Sequence, residues 1–99
     1  MIDTSHANSG KKPENQPLVV ADIAKQIAGG EQRIIGAMIE SNLVAGRQDV
    51  MPGKTLTYGQ SITDGCIDWD TTVSALNLLA EAVEARRNAS SRKLRELSA

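Results

Sequence analysis

Phenylalanine is absent from this chain, and tryptophan, tyrosine, histidine and cysteine occur once each. Aromatic side chains bury the largest area per residue, so any core here is assembled from Ala, Ile, Leu and Val. Ninety-nine residues of that material bury little surface by themselves, and small domains of this kind lean on a disulfide, a metal or a partner. Cys66 stands alone. An internal disulfide is therefore excluded, and a reducing, cytoplasmic setting is expected. No run of 18 apolar residues occurs, and residues 1–16 are polar without the apolar stretch of a signal peptide, so neither membrane insertion nor secretion is expected. Charge is balanced as well, with 11 Lys and Arg against 12 Asp and Glu. No basic stripe is interleaved with stacking aromatics, which argues against a nucleic-acid partner. The cations near the carboxy terminus, Arg86, Arg87, Arg92, Lys93 and Arg95, alternate with Glu84 and Glu96, and this spacing predicts a solvated helical face.

What is present reads as alternating structure. Residues 1–5 look like the end of a strand, and residues 8–17, rich in Asn, Gly, Lys and Pro, read as a loop. Residues 18–28 carry Val19 or Val20, Ile23 and Ile27 on one face at spacings of three and four, which predicts a helix. Gly29 and Gly30 supply its left-handed stop. They are not a phosphate loop, since no strand precedes them and no Lys-Ser or Lys-Thr follows. Residues 33–41 form a continuous apolar run of the kind found in strands buried on both faces. Strand, helix, strand at this spacing predicts a parallel pair with a right-handed crossover.

Residues 42–69 show no sustained period. Connections of that length inside a compact domain tend to be functional loops. A last helix follows, capped by Asp70 or Thr71, with Val73, Leu76, Ala80 and Val83 as its apolar seam. Beyond Arg87 that seam weakens, so residues 89–99 are expected to be a frayed, polar extension to a domain of residues 1–88. The order fits the α/β class, as the last part of a (β/α)8 barrel that is incomplete here, with a free-standing α/β sandwich as the alternative. In the barrel reading, chemistry belongs at the carboxyl ends of the strands.

His6 follows the first strand and Glu40 ends the second, so an imidazole and a carboxylate are expected on one rim, a pairing suited to a divalent metal. Asp64, in the long loop, is able to fold back as a third ligand. Spacing alone does not separate this from a surface histidine among solvated acids. Cys66 alone reads equally as a small buried hydrophobe, and Asp3 and Ser5 as hydrogen-bonding residues of a strand end.

Three segments carry a more specific signal: IDTSHAN at residues 2–8, GGEQRIIGAMIESNLVAGRQ at residues 29–48, and LTYGQSITDGCIDW at residues 56–69. In content, order and separation they resemble the type I 3-deoxy-7-phosphoheptulonate synthases, and the resemblance runs from residue 1 to about residue 87. It implies that His6, Glu40 and Asp64 are three of four ligands to a divalent ion, with Mn²⁺, Fe²⁺, Co²⁺ and Zn²⁺ all admissible. His6 and Asp64 are then catalytic, with His6 beside phosphoenolpyruvate and Asp64 beside the aldehyde of erythrose 4-phosphate. Asp3 and Ser5 support the ligands from behind. The reaction implied opens aromatic amino acid biosynthesis through the shikimate pathway.

Two departures accompany the resemblance. Asn42 stands where many members have His. The fourth ligand, a Cys on the first strand, is absent, as are a Lys-Pro-Arg-Thr segment and the Arg and Lys residues that hold the substrate phosphates; these are expected in sequence preceding residue 1. Cys66, two positions past Asp64, is not expected to reach the missing vertex. A barrel of this kind takes about 250 residues, so these 99 alone are expected to be inactive and to need an amino-terminal barrel portion or a homo-oligomeric partner. Two other readings compete: a non-catalytic metal-binding or interaction module from the same barrel, and kinship with octulosonate 8-phosphate synthases. The long loop resembles the heptulosonate group more closely.

Overall fold

The computed structural model describes residues 1–98, with side chains through residue 97. Strand β1 (Ile2–Asp3) pairs in parallel with β2 (Ala37–Met38), Ile2 opposite Ala37 and Asp3 opposite Met38. The pair is joined through helix α1 (Gln16–Ala28), and the long helix α2 (Trp69–Ser98) packs against α1. The expected order and the parallel pairing are both present.

Helix α1 begins two residues earlier than apolar spacing predicts. Pro17 falls in its first turn, where the missing N–H has no intrahelical partner to lose. The helix ends as expected at the Gly29–Gly30 pair, although only Gly30, at φ +105°, is left-handed. The Gly30 N–H donates to the Ile27 carbonyl and the Glu31 N–H to the Gln26 carbonyl, both at 3.0 Å. Those two bonds satisfy carbonyls that the helix end leaves open.

The second strand is much shorter than the run 33–41. Pairing with β1 covers two residues. Ile34 turns into the core, whereas Ile35 is 84% exposed. Uniform apolarity belongs to a parallel strand covered on both faces, and here Ile35 is open to solvent.

The core joins Ile23, Ala24 and Ile27 of α1 to Ile34 and Ala82, with Ile2, Val19, Leu79 and Val83 around them. The α1 face is therefore the one its spacing indicates. The α2 face is not. Thr72, Ala75 and Ala82 are buried, while Val73 and Leu76 are 40% and 51% exposed; of the expected seam only Val83 reaches the core. Helix axes approach to 8–10 Å according to the size of the side chains between them, and the alanines admit α1 where larger residues would hold it off.

Three further expectations about α2 differ from the structure. Asp68, not Asp70 or Thr71, caps its start: its carboxylate accepts the Thr71 N–H at 2.9 Å. The bonds from Thr71 hold the Asp68 carboxyl below the usual carboxylate range. A lowered acid adds stability above its unfolded-state pKa and loses it as pH falls through the folded value. Acid melting of α2, followed by circular dichroism from pH 5 downward, is thus expected to be shallower in Asp68→Asn, since Asn also caps well and does not titrate. Equal acid sensitivity in the two chains would remove Asp68 from this role.

The carboxy-terminal turns are helical. Ala89, Arg92, Lys93, Leu94 and Arg95 are strong helix formers, and α2 runs through Ser98 with residues 87–97 exposed; Ala99 lies outside the described residues. Arg86 also departs from the solvated face assigned to it. Its guanidinium donates to the carbonyls of Glu31 and Ile34 at 2.7 and 2.9 Å, fastening α2 to the connection between α1 and β2. Among the described residues no helix is long and apolar enough to cross a membrane.

The connection 42–68 is not free. Bridges join Ser41 to Ile67, Gly46 to Cys66 and Arg47 to Ser61. The Gln48 amide closes the loop internally by donating to Thr57 and Gln60 carbonyls and accepting the Thr57 N–H. Gly59 sits at φ +80° under Leu43, and a Cβ there would lie 2.8 Å from the Leu43 Cβ, so this position requires glycine.

Candidate metal centre

The chain leaves β1 through buried Thr4 and Ser5 and enters a 3₁₀ turn, His6–Ser9. His6 opens that turn at φ +50°, a region that L-residues seldom adopt and that often marks a functional position. Local bonds over-determine it. The Asp3 carboxylate lies 2.9 Å from His6 Nδ1 and accepts the N–H and hydroxyl of Ser5. The Ser9 hydroxyl and the Lys11 N–H both donate to the His6 carbonyl. Asp3 and Ser5 thus bond on the Nδ1 side of the imidazole, and Nε2 faces Asp64 and Glu40.

Glu40 follows β2, and its Oε1 lies 3.7 Å from His6 Nε2. Asp64 is delivered by the loop. The Gly46–Cys66 pair exchanges backbone bonds at 2.8 and 3.1 Å, Arg47 Nε donates to the Thr63 carbonyl at 2.7 Å, and Asp64 Oδ2 arrives 3.0 Å from His6 Nε2. One donor atom from each of the three residues lies within 4.8 Å of the others. They line a cavity of about 400 Å³, to whose wall Lys11 and Arg47 add positive charge.

Electrostatics favour a cation at that point. Asp3, Asp64 and Glu40 surround one imidazole, so the charges nearest the ring are negative. Hydrogen bonds to Asp3 and Asp64, with the charge of Glu40, raise the His6 pKa to about 9, while Asp3 is held down to about 2 by His6 and Ser5. The donor set passes a simple fit test. An ion bonded at about 2.1 Å spaces its ligand atoms by roughly 3 to 3.4 Å; the His6–Asp64 separation of 3.0 Å falls in that range and the His6–Glu40 separation of 3.7 Å lies just beyond it, and nitrogen with carboxylate oxygen suits first-row divalent ions. Cys66 is outside the group: it is buried, its Sγ contacts the Asp64 carbonyl at 3.6 Å, and burial pushes its pKa up.

One residue at the site has no counterpart in the sequence reading. Gln16, within the segment taken as loop, is fully buried and bonds to Thr4 and Glu40. No periodicity or motif marks it, because its burial depends on two strand ends meeting a helix start.

A parallel strand pair with an imidazole and a carboxylate beyond its carboxyl ends, joined by a loop aspartate, defines an α/β protein with a candidate divalent-metal centre. The chain belongs to the DAHP synthetase I family, whose sequence model matches residues 1–77. It is 56% identical over 87 residues to the Phe-sensitive phospho-2-dehydro-3-deoxyheptonate aldolase of Escherichia coli K12, covering 88% of this chain and 25% of that protein. It is 48% identical over 98 residues to the tyrosine-inhibited enzyme of Candida albicans, covering 95% and 26%. The solved phospho-2-dehydro-3-deoxyheptonate aldolase of Francisella tularensis SCHU S4 superposes with a TM-score of 0.80 at 53% identity, covering 86% of this chain and 25% of that one. The chain thus spans about a quarter of the length of the curated relatives it matches.

Proposed function

We propose that residues 1–88 form the carboxy-terminal part of a (β/α)8 barrel of 3-deoxy-7-phosphoheptulonate synthase, in which His6, Glu40 and Asp64 hold a divalent ion. Residues 89–99 are an extension to it. The observation that carries this reading is the convergence of those three side chains, drawn from two strand ends and a loop, on one point. In the complete barrel the methylene carbon of phosphoenolpyruvate bonds to the aldehyde carbon of erythrose 4-phosphate, one water is consumed at the former enol carbon, and inorganic phosphate leaves. A divalent ion bound there supplies Lewis-acid polarisation of the aldehyde oxygen and needs no redox change.

The chain's own residues supply position. Asp3, accepting from His6 Nδ1, fixes the tautomer that leaves Nε2 free to ligate. His6 borders the phosphoenolpyruvate side and Asp64 the aldehyde side. Lys11 and Arg47 bring positive charge to the cavity that receives the phosphorylated substrates. The partner is an amino-terminal barrel portion or another copy of the chain in a homo-oligomer, in the cytoplasm. Support for such a partner is local: among the described residues β1 and β2 pair only with each other, beside Met1 and Ile35 at 79% and 84% exposure, and open parallel edges invite pairing.

A chimera tests this directly. Residues 1–87 replace the matching quarter of the Escherichia coli Phe-sensitive enzyme, and phosphate release from phosphoenolpyruvate is followed with erythrose 4-phosphate present. Activity within about tenfold of the parent is expected, and its loss when His6→Ala is added. A folded chimera that leaves phosphoenolpyruvate intact would defeat the proposal.

A further inference from the structure

Gln16 is fully buried in the first turn of α1, and its amide copies a strand's peptide group. Oε1 accepts the Glu40 N–H and Nε2 donates to the Glu40 carbonyl, each at 2.9 Å. One side chain therefore reaches both backbone groups of the residue that carries a proposed metal ligand, just past the point where β1 and β2 stop pairing; the carbonyl also accepts the Ile67 N–H at 3.0 Å, while the N–H has Gln16 as its partner. Oε1 also lies 2.9 Å from the Thr4 hydroxyl, whose single proton is shared between it and the Met38 carbonyl at the same distance. The amide thus ties the end of β1 to the end of β2 and both to α1.

We infer that Gln16 is a positioning residue for the metal centre: by clamping the Glu40 backbone it sets where the Glu40 carboxylate stands relative to His6 Nε2. This rests on the metal reading of His6, Glu40 and Asp64. Outer-shell partners of metal ligands are typically worth 10- to 100-fold in affinity, because a ligand free to wander loses its alignment. A buried glutamine that served stability alone would lower the melting temperature and leave metal affinity where it was.

Gln16→Met keeps the length and apolar bulk of the side chain and removes every bond that the amide makes. Titration of the chain with Mn²⁺, with the free ion read by electron paramagnetic resonance, is expected to show affinity at least about tenfold weaker than in the parent chain. Thr4→Val, which leaves both Glu40 bonds in place, is expected to lose stability but to bind Mn²⁺ within about twofold of the parent. Linkage supplies a second arm that needs no substitution. If the amide–Glu40 bonds favour the bound state, binding must strengthen them in return, so Zn²⁺ loading is expected to slow solvent exchange of the Gln16 side-chain amide protons and the Glu40 N–H in ¹⁵N spectra. Parent-like Mn²⁺ affinity in folded Gln16→Met, or exchange at Gln16 and Glu40 untouched by Zn²⁺, overturns the inference while the metal site stands. Mn²⁺ affinity that His6→Ala leaves unchanged overturns both.

Discussion

His6→Ala is expected to weaken Mn²⁺ binding by more than about 100-fold, measured by isothermal titration calorimetry on the chain. The imidazole is the only nitrogen donor of the trio, and its Nε2 is the point from which the Asp64 and Glu40 oxygens lie 3.0 and 3.7 Å away. Without it only two carboxylates, and no nitrogen donor, remain to hold the ion. The loss should exceed the 10- to 100-fold typical of outer-shell partners, which is the range expected for Asp3→Asn, where Nδ1 loses its charged acceptor. Cys66→Ser is the matched control: the thiol sits outside the trio, and affinity is expected to hold. A thermal readout gives an independent check. Mn²⁺ at about 100 times its dissociation constant stabilises the folded state by about 2.7 kcal/mol, and His6→Ala should abolish that shift. Retained Mn²⁺ affinity in His6→Ala would remove the trio as a metal site.

Some of this geometry was written in the residues, and some was not. His6 and Glu40 were legible as candidates because each follows an expected strand, and parallel strands bring their carboxyl ends to one rim. Asp64 was not placeable by period, since its position depends on the Gly46–Cys66 and Arg47–Ser61 bridges across the loop; only the SITD motif marked it. The inward face of α1 was readable because one stripe alone is apolar. Helix α2 offers two, one through Ala75 and Ala82 and one through Val73 and Leu76, and the choice rests with the surface of α1, which favours small residues. Its cap was ambiguous for a similar reason, as Asp68, Asp70 and Thr71 are all capping types within four positions. Gln16 was invisible because polarity predicts exposure, and only the meeting of Thr4, Glu40 and α1 overturns that expectation.

Ile23→Ala is expected to destabilise the fold by about 2–5 kcal/mol, a large share of the roughly 5–15 kcal/mol available to a domain of this size. Ile23 is 3% exposed and packs with Ala24, Ile27, Ile34 and Ala82. With no phenylalanine in the chain and Ala24 and Ala82 in the same cluster, part of the surrounding wall is too short to collapse into the space. A poorly collapsing site falls toward the upper end of that range. In a domain of about 100 residues each kcal/mol moves the melting temperature by about 4–8 °C, so a fall of at least about 10 °C is expected by circular dichroism. Ile23→Val, losing one methyl group, should cost about 0.5–1.5 kcal/mol, and Leu18→Ala, at a residue 70% exposed on the same helix, no more than about 0.5 kcal/mol. That ordering separates cavity formation from a general weakening of α1, which would penalise Leu18→Ala as well. Because α1 also carries Gln16, a chain in which Ile23→Ala loosens the α1–α2 contact should show faster exchange at the Glu40 N–H before global melting. If Ile23→Ala melts with the parent chain, the α1–α2 contact is not what holds this fold together.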